Sequence, residues 1–463
     1  WESVPALVQA ANRSGLSYVM LEGWESSSGH YAVNEKRFPG GDDGLKSAVA
    51  ELHAAGLRVG IHFLSCLISK DDAYLTPVPH PDLAVDAALS LAAGVSASST
   101  FIPTTGEPTT SPWLTTHWKA PASSGVSGGS TAYDFVTSLA RIGDELVTYE
   151  SVNASGLVGC TRGALGSKAA AHTKVEKAEH LAQMYNMVMP RPASALLEEI
   201  SSRLAHVYNH AELDMVYFDG AEGLSPMGSE QIPISLFQQS FFSKLTRAIL
   251  IEGSSIVPYT WWLNARANTG DYAFIDPKAY MDVQKMAQCA VHTRNQMNPE
   301  LGWWGLDGGG IGFPATLPDE LEYMARFAVA LGVSPQIETG SLAANGRAAE
   351  GLSRMRPWAL LQAHGPSAKL RETLMQTELD FEMRAAGGAD RFDIKAVKYH
   401  GNTGSSEAVI ADPARPDTTR FTLQRHFGDA PAGPLGLRLR CLPALAAPGS
   451  KGNTLLLNPV ADG

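Results

Sequence analysis

The stretch Leu213-Asp214-Met215-Val216-Tyr217-Phe218-Asp219-Gly220-Ala221-Glu222-Gly223 decides how this chain is read. It is an apolar run that stops abruptly in acid and glycine. A strand buried on both faces of a parallel sheet reads as such a near-continuous run. In a (β/α)8 barrel the C-terminal strand ends line the active-site face. Asp219 then stands where such a barrel carries a catalytic carboxylate. The alternative is a strand-end aspartate that caps a helix or holds a turn.

Working outward, strands and helices alternate on both sides of this stretch. Upstream, residues 2–14 read as a helix with Val4, Leu7, Val8 and Ala11 at helical spacing, stopped by Gly15. Residues 16–21 are a strand ending in Glu22-Gly23-Trp24-Glu25, residues 43–55 a second helix, and residues 57–63 the next strand. Downstream, helices are expected at 193–211, 233–252, 278–296, 318–331 and 352–363, and strands at 253–260, 301–306 and 334–340. This alternation argues for parallel α/β architecture. The fold class expected is a (β/α)8 TIM barrel, with its first strand upstream of Trp1.

Two spans break the repeat. Residues 65–192 carry Pro-rich and Ser/Gly-rich pieces, and short antiparallel strands are expected near 145–149 and 156–159. They read as a large insertion after strand three, a small β-rich lid or subdomain. Its glycines lack the Walker lysine pattern of a phosphate loop. Beyond about residue 370, alternating runs at 392–399, 407–410, 420–427, 437–442 and 454–457 suggest an antiparallel β domain. The organisation expected is barrel over 1–64 and 193–370, insertion over 65–192, and a β-sandwich-like domain over 371–463.

Of 463 residues, 44% are hydrophobic and 18% charged, which suits packed cores rather than disorder. The net charge of −11 disfavours nucleic acid or an anionic membrane surface as partner. No apolar run of membrane-spanning length occurs. Cys66, Cys160, Cys289 and Cys441 are scattered, without CxxC spacing or a histidine at metal spacing. They read as free buried thiols or at most one disulfide. Neither a metal site nor a cofactor motif is expected.

The order of motifs resembles a known group. A strand ends in acid and tryptophan, a Phe38-Pro39-Gly40 turn and a helix follow, then Gly56-Leu57-Arg58-Val59-Gly60-Ile61, and later Tyr217-Phe218-Asp219-Gly220. This is similar to the (β/α)8 catalytic domain of the alpha-galactosidase-like glycoside hydrolases, over roughly residues 16–63 and 193–262. The resemblance implies Asp219 as nucleophile, and Glu22, Trp24 and Glu25 as matches to the group's substrate-binding segment. It also implies a C-terminal β-sandwich. The chain departs from the group at Glu22-Gly23, where paired aspartates are usual, and at Tyr217, where lysine is common. The sugar therefore does not carry over.

A glycosidase needs two carboxylates across the scissile bond, one held protonated. The group places its acid/base at strand six. Asp307, after the Trp303-Trp304 strand, and Asp271 compete for that role, with Glu222 and Glu338 behind them. For each of these the alternative is a helix cap or a surface acid. Aromatic residues gather at the expected strand ends: Trp24, Tyr259, Trp261, Trp262, Trp303 and Trp304. Their faces suit the C–H faces of sugars, or else the core. Arg266 and His62 could bind hydroxyl or acidic groups. The expected partner is a carbohydrate, in a secreted or periplasmic setting, with oligomeric state open. Two rival readings stand: a polysaccharide lyase on a uronic-acid glycan, with Tyr259, His62 and Arg266 as candidate groups, and a non-catalytic carbohydrate-binding barrel.

Overall fold

The structure, a computed structural model, describes residues 3–114, 117–119, 134–136, 138–220, 232–253, 300–306, 316–338, 342–374, 379–385, 392–399 and 425–426. Helix α1 (Val4–Ser14) turns Val4, Leu7, Val8 and Ala11 to the core and ends at Gly15, φ 77°. Strand β1 (Tyr18–Leu21), helix α2 (Asp42–Ala54) and strand β2 (Arg58–Leu64) follow. β1 and β2 pair in parallel from Tyr18↔Arg58 to Leu21↔Ile61.

The chain then leaves this sheet. It forms β3 (Val85–Leu91), β4 (Phe101–Thr105), β5 (His117–Lys119), β6 (Asp134–Val136), β7 (Leu139–Ile142), β8 (Glu145–Thr148), β9 (Ser151–Asn153), β10 (Gly156–Val158), β11 (Lys177–Leu181), β12 (Gln183–Met184) and β13 (Met187–Val188). Seven of these make one antiparallel sheet in the order β8-β7-β11-β3-β4-β10-β9. It has its own core, in which Leu91, Ile102, Trp113, Ile142, Val147, Tyr149 and Leu157 are buried. On β8 of this sheet Glu145 is almost wholly buried. Its carboxylate takes Arg162 on both oxygens, His172 at 2.8 Å, and the N–H groups of Gly163 and Ala170. A buried charge is tolerable only when satisfied in this way.

β12 and β13 form a separate hairpin. Its two turn residues, Tyr185 and Asn186, both have positive φ (52° and 61°), as a type I′ turn demands. The hairpin is sewn to the segment after β2. Ile68 and Val188 exchange backbone hydrogen bonds of 2.7 and 3.0 Å.

The parallel sheet resumes with α3 (Ala195–Ala211), β14 (Met215–Asp219), α4 (Ile232–Phe242) and β15 (Leu250–Gly253), giving the order β1-β2-β14-β15. The Ser194 side chain caps α3 by accepting from the Leu197 N–H. Here the expectation of one helix over 233–252 is corrected. α4 stops at Phe242, and 250–253 is already strand, with Leu250 opposite Met215 and Ile251 opposite Val216. The apolar run fits either a helix or a strand, and the open edge of β14 decides.

The two faces of this sheet differ. Val59, Ile61 and Phe63 of β2 and Val216 and Phe218 of β14 are buried at 0% exposure, and Phe218 meets Phe237, Phe241 and Phe242 of α4 edge-on. The other face carries Gly60, His62, Met215, Tyr217, Asp219 and Glu252. Gly60 is required there, since a Cβ would come within 2.9 Å of Met215.

Beyond it lie β16 (Glu300–Gly305), α5 (Pro318–Leu331), β17 (Ser334–Glu338), α6 (Ala348–Ala363) and α7 (Ala368–Leu374). β16 and β17 pair in parallel. α6 returns to α1, where a Cβ on Gly15 would touch Ala359 at 3.0 Å and the Arg356 guanidinium reaches the Asn12 carbonyl. Gln336 of β17 donates to Glu252 of β15 at 2.7 Å. The fold is α/β. The expected strand at 253–260 past Gly253, the helix at 278–296, and with them the count of eight strands, fall outside the described residues. At the C-terminal end β18 (Leu379–Ala385), β19 (Phe392–Tyr399) and β20 (Arg425–His426) form an antiparallel sheet. The runs at 407–410, 437–442 and 454–457 lie outside the described residues.

Candidate active site

In a parallel sheet every strand ends at the same edge. That edge gathers Glu22 after β1, the end of β2, and Asp219 at the end of β14. Side chains two apart on a strand share a face, so Tyr217 and Asp219 point the same way. His62 lies opposite Tyr217 in register and shares that face. The Asp219 carboxylate is held from both sides. Tyr217 donates its hydroxyl to Oδ1 at 3.2 Å, and His62 Nε2 lies 3.2 Å from Oδ2. The His62 ring stacks on Tyr217, with centroids 5.4 Å apart and planes 25° apart. Tyr217 is buried, whereas the Asp219 side chain keeps 29% of its surface exposed. A carboxylate oriented by these neighbours and partly exposed to solvent is placed to meet a substrate.

Two further acids surround His62. Burial disfavours the His62 imidazolium, but the hydrogen bond and charge of Asp219, with the charges of Glu22 and Glu25, outweigh it and raise its pKa. Glu25 shows the opposite balance. Burial raises its carboxyl pKa, against the lowering pull of its own backbone N–H, His62 and Arg37. Its Oε2 is buried with no hydrogen-bond partner among the described residues. The edge therefore holds one acid that burial pushes toward its neutral form and one carboxylate beside an imidazole.

Trp24 is corrected. Expected in the cleft, it is fully buried, its ring stacked on Tyr31 at 6.0 Å and its Nε1 donating to the His62 carbonyl at 2.8 Å. Tyr31 donates likewise to the Leu64 carbonyl at 3.0 Å. β1 has ended opposite Ile61, so these two side chains serve the carbonyls of β2 beyond that point. Trp24 positions His62 from behind. The loop that carries it is pinned by Arg37, which donates to the carbonyls of Glu22 and Gly23. Asp72 pins it too, taking Ser27 at 2.7 Å and the His30 ring at 2.6 Å.

Of the other expected residues, Trp303, Trp304 and Glu338 lie on the β16–β17 pair, Trp303 opposite Gln336, Trp304 opposite Ile337 and Gly305 opposite Glu338. Asp271, Asp307, Glu222, Tyr259, Trp261, Trp262 and Arg266 lie outside the described residues. The structure thus brings Asp219, His62 and Glu22 to one edge. It adds Tyr217, which in the sequence stands where the group commonly has lysine. The period-two alternation of Tyr217 and Asp219 was the signal for it. Among the described residues no cluster of His, Cys, Asp and Glu could hold a metal ion. Cys66 and Cys160 are buried free thiols, and burial pushes both pKa values up.

No family model and no curated protein matches this sequence. Among solved structures the chain is similar to an alpha-galactosidase from Lactobacillus brevis, at 12% identity, covering 86% of this chain and 44% of that one, with a TM-score of 0.43. It is similar to a family 27 β-L-arabinopyranosidase from Geobacillus stearothermophilus, at 13% identity, 78% and 71% coverage and a TM-score of 0.42. A family 36 alpha-galactosidase from the same organism gives 11% identity, 86% and 45% coverage and a TM-score of 0.42. A likeness at this level decides neither fold nor activity.

Proposed function

We propose that this chain is a glycoside hydrolase acting on an oligo- or polysaccharide, with Asp219 as its nucleophile or key carboxylate. The observation that carries the reading is the Asp219 carboxylate itself. It stands at the C-terminal edge of a parallel sheet, each oxygen engaged by a neighbour, and is partly open to solvent. Sugar hydrolysis through an oxocarbenium-like transition state needs such an oriented carboxylate on one side of the bond and a protonated acid on the other. His62 and Tyr217 fix the first. Asp307 and Asp271 are the proposed candidates for the second, the motif resemblance placing that role at strand six. Glu22 is proposed to take substrate hydroxyls, a half-buried acid at the same edge.

The test is digestion of a glycan array by wild type and Asp219→Asn, read by product mass and ultraviolet absorbance. Products heavier by one water, reduced at least about 1,000-fold in the variant, are expected for removal of a nucleophile. Products with an absorbing double bond would instead mark a lyase. Turnover left intact in Asp219→Asn would remove Asp219 from the chemistry.

A further inference from the structure

Three features of the inserted hairpin converge on one residue. A side chain placed on Gly220, the residue after Asp219, would meet the Tyr185 ring at 3.7 Å, so the ring edge lies against the end of β14. Tyr185 keeps 37% of its surface exposed, a large aromatic beside the acid-bearing edge of the parallel sheet. It also holds φ at 52° in a turn where glycine or asparagine is the comfortable residue. Exposed apolar surface and a left-handed backbone both work against stability, and residues kept in such conformations cluster at ligand clamps.

The turn is nevertheless firmly placed. Asn186 accepts from Lys70 Nζ at 2.7 Å, and Ile68 and Val188 bond their backbones in both directions. Burial of the Lys70 amine brings its pKa down to about 8, while its contact with Asn186 stays at the solvent-exposed side of the turn. The ring is thus presented on a rigid support instead of a free loop. Meanwhile Trp24, the aromatic at the end of β1, is committed to the core.

We propose that Tyr185 is a substrate-contact residue, the stacking platform for a sugar ring whose scissile bond lies over Asp219. This deepens the glycosidase reading and rests on it. A pyranose presents an apolar C–H face, which the exposed part of a phenol ring covers. The inserted segment thereby supplies one wall of a site whose chemistry belongs to the parallel sheet. Gly220 suits this junction by its backbone, φ 67°, and a Cβ there would crowd Leu64 at 3.2 Å while leaving the Tyr185 ring in ordinary contact.

The test uses kinetics and a signal independent of turnover. On an oligosaccharide that wild type hydrolyses, Tyr185→Ala is expected to raise KM about tenfold with kcat within about threefold. Tyr185→Trp, which restores a ring, should bring KM back to within about threefold of wild type. In parallel, the full chain is labelled with 3-fluorotyrosine, its Tyr185 resonance assigned through Tyr185→Phe, and titrated with a fixed panel of neutral and uronic-acid-containing trisaccharides. A saturable shift of that resonance is expected. Hydrolysis by wild type, lost in Asp219→Asn, with KM unchanged in Tyr185→Ala and no shift, overturns the inference and leaves the glycosidase reading standing. A shift without any hydrolysis overturns that reading and leaves Tyr185 as a sugar contact. Neither hydrolysis nor shift overturns both.

Discussion

At the scale of single residues, the site turns on how His62 and Asp219 hold each other. His62 is raised despite its burial because carboxylates surround it. The sign follows from linkage: a histidine with a raised folded-state pKa stabilises the fold fully below its unfolded value of about 6.5. That contribution fades as pH rises through the raised folded value. Two outcomes are expected. In proton NMR the His62 midpoint should fall in Asp219→Asn. The melting-temperature gap between wild type and Asp219→Asn should be wider at pH 6 than at pH 9, and modest throughout, since both side chains keep some exposure. A gap that is flat with pH would deny the pair. The sequence shows this centre well, because an acid after an apolar run is a strong signal and a histidine two places from a strand end shares its edge. Trp24 was legible only as a tryptophan at a strand end. Whether it lies over the cleft or beneath it depends on Tyr31 and on the carbonyls of β2, which are contacts between distant residues that no local pattern records.

At the scale of elements, Asp214 does at the opposite edge what Asp219 does not: it binds the frame. Its nearly buried carboxylate takes the Val59 N–H at 2.9 Å, His53 of α2 at 2.7 Å, and Arg58 and Arg247 at 3.2 and 3.1 Å. One side chain so joins α2, β2, β14 and the approach to β15. Burial raises its pKa, but these donors outweigh it and hold it below the usual range. Its contribution is therefore present above the unfolded value of about 3.9 and lost as pH falls through the depressed one. Asp214→Ala is expected to cost about 1–3 kcal/mol of unfolding free energy, read from a denaturant titration, while the folded fraction keeps its activity. Equal losses of activity and stability would place Asp214 in the site. Elements were legible where a strong period had clear stops, as in α5. β3, β4 and β11 went unread because none alternates cleanly: β3 is an Ala/Leu run that suits a helix as well, Pro103 interrupts β4, and β11 is Lys177-Ala178-Glu179-His180-Leu181.

At the scale of the whole molecule, a polar contact joins parts that the parallel sheet alone does not. Gln336 of β17 reaches the buried Glu252 of β15. Gln336→Ala should cost roughly 1 kcal/mol by removing one donor from the buried Glu252 carboxylate. The check is urea unfolding followed by two probes, one in each sheet. Destabilisation seen equally by both is expected of one cooperative unit, and two separated transitions would refute it.

The closed neck of the insertion has a consequence for how the chain comes together in time. Gly60 and Met215 are register partners, yet more than a hundred residues separate them, and their pairing is a slow, long-range event in a bare chain. The Ile68–Val188 bonds change that distance. Once the inserted sheet has folded on its own core, they draw its two ends together, and the loop that β14 must close shrinks from the whole insertion to a short flank before Ile68 and the segment holding α3 after Val188. Loop closure grows only slowly with length, at about 0.6 kcal/mol per doubling, so the larger gain is in order of events. During synthesis β2 has emerged long before its second neighbour, and the insertion folds in the interval, delivering β14 beside a strand that would otherwise wait with an open edge.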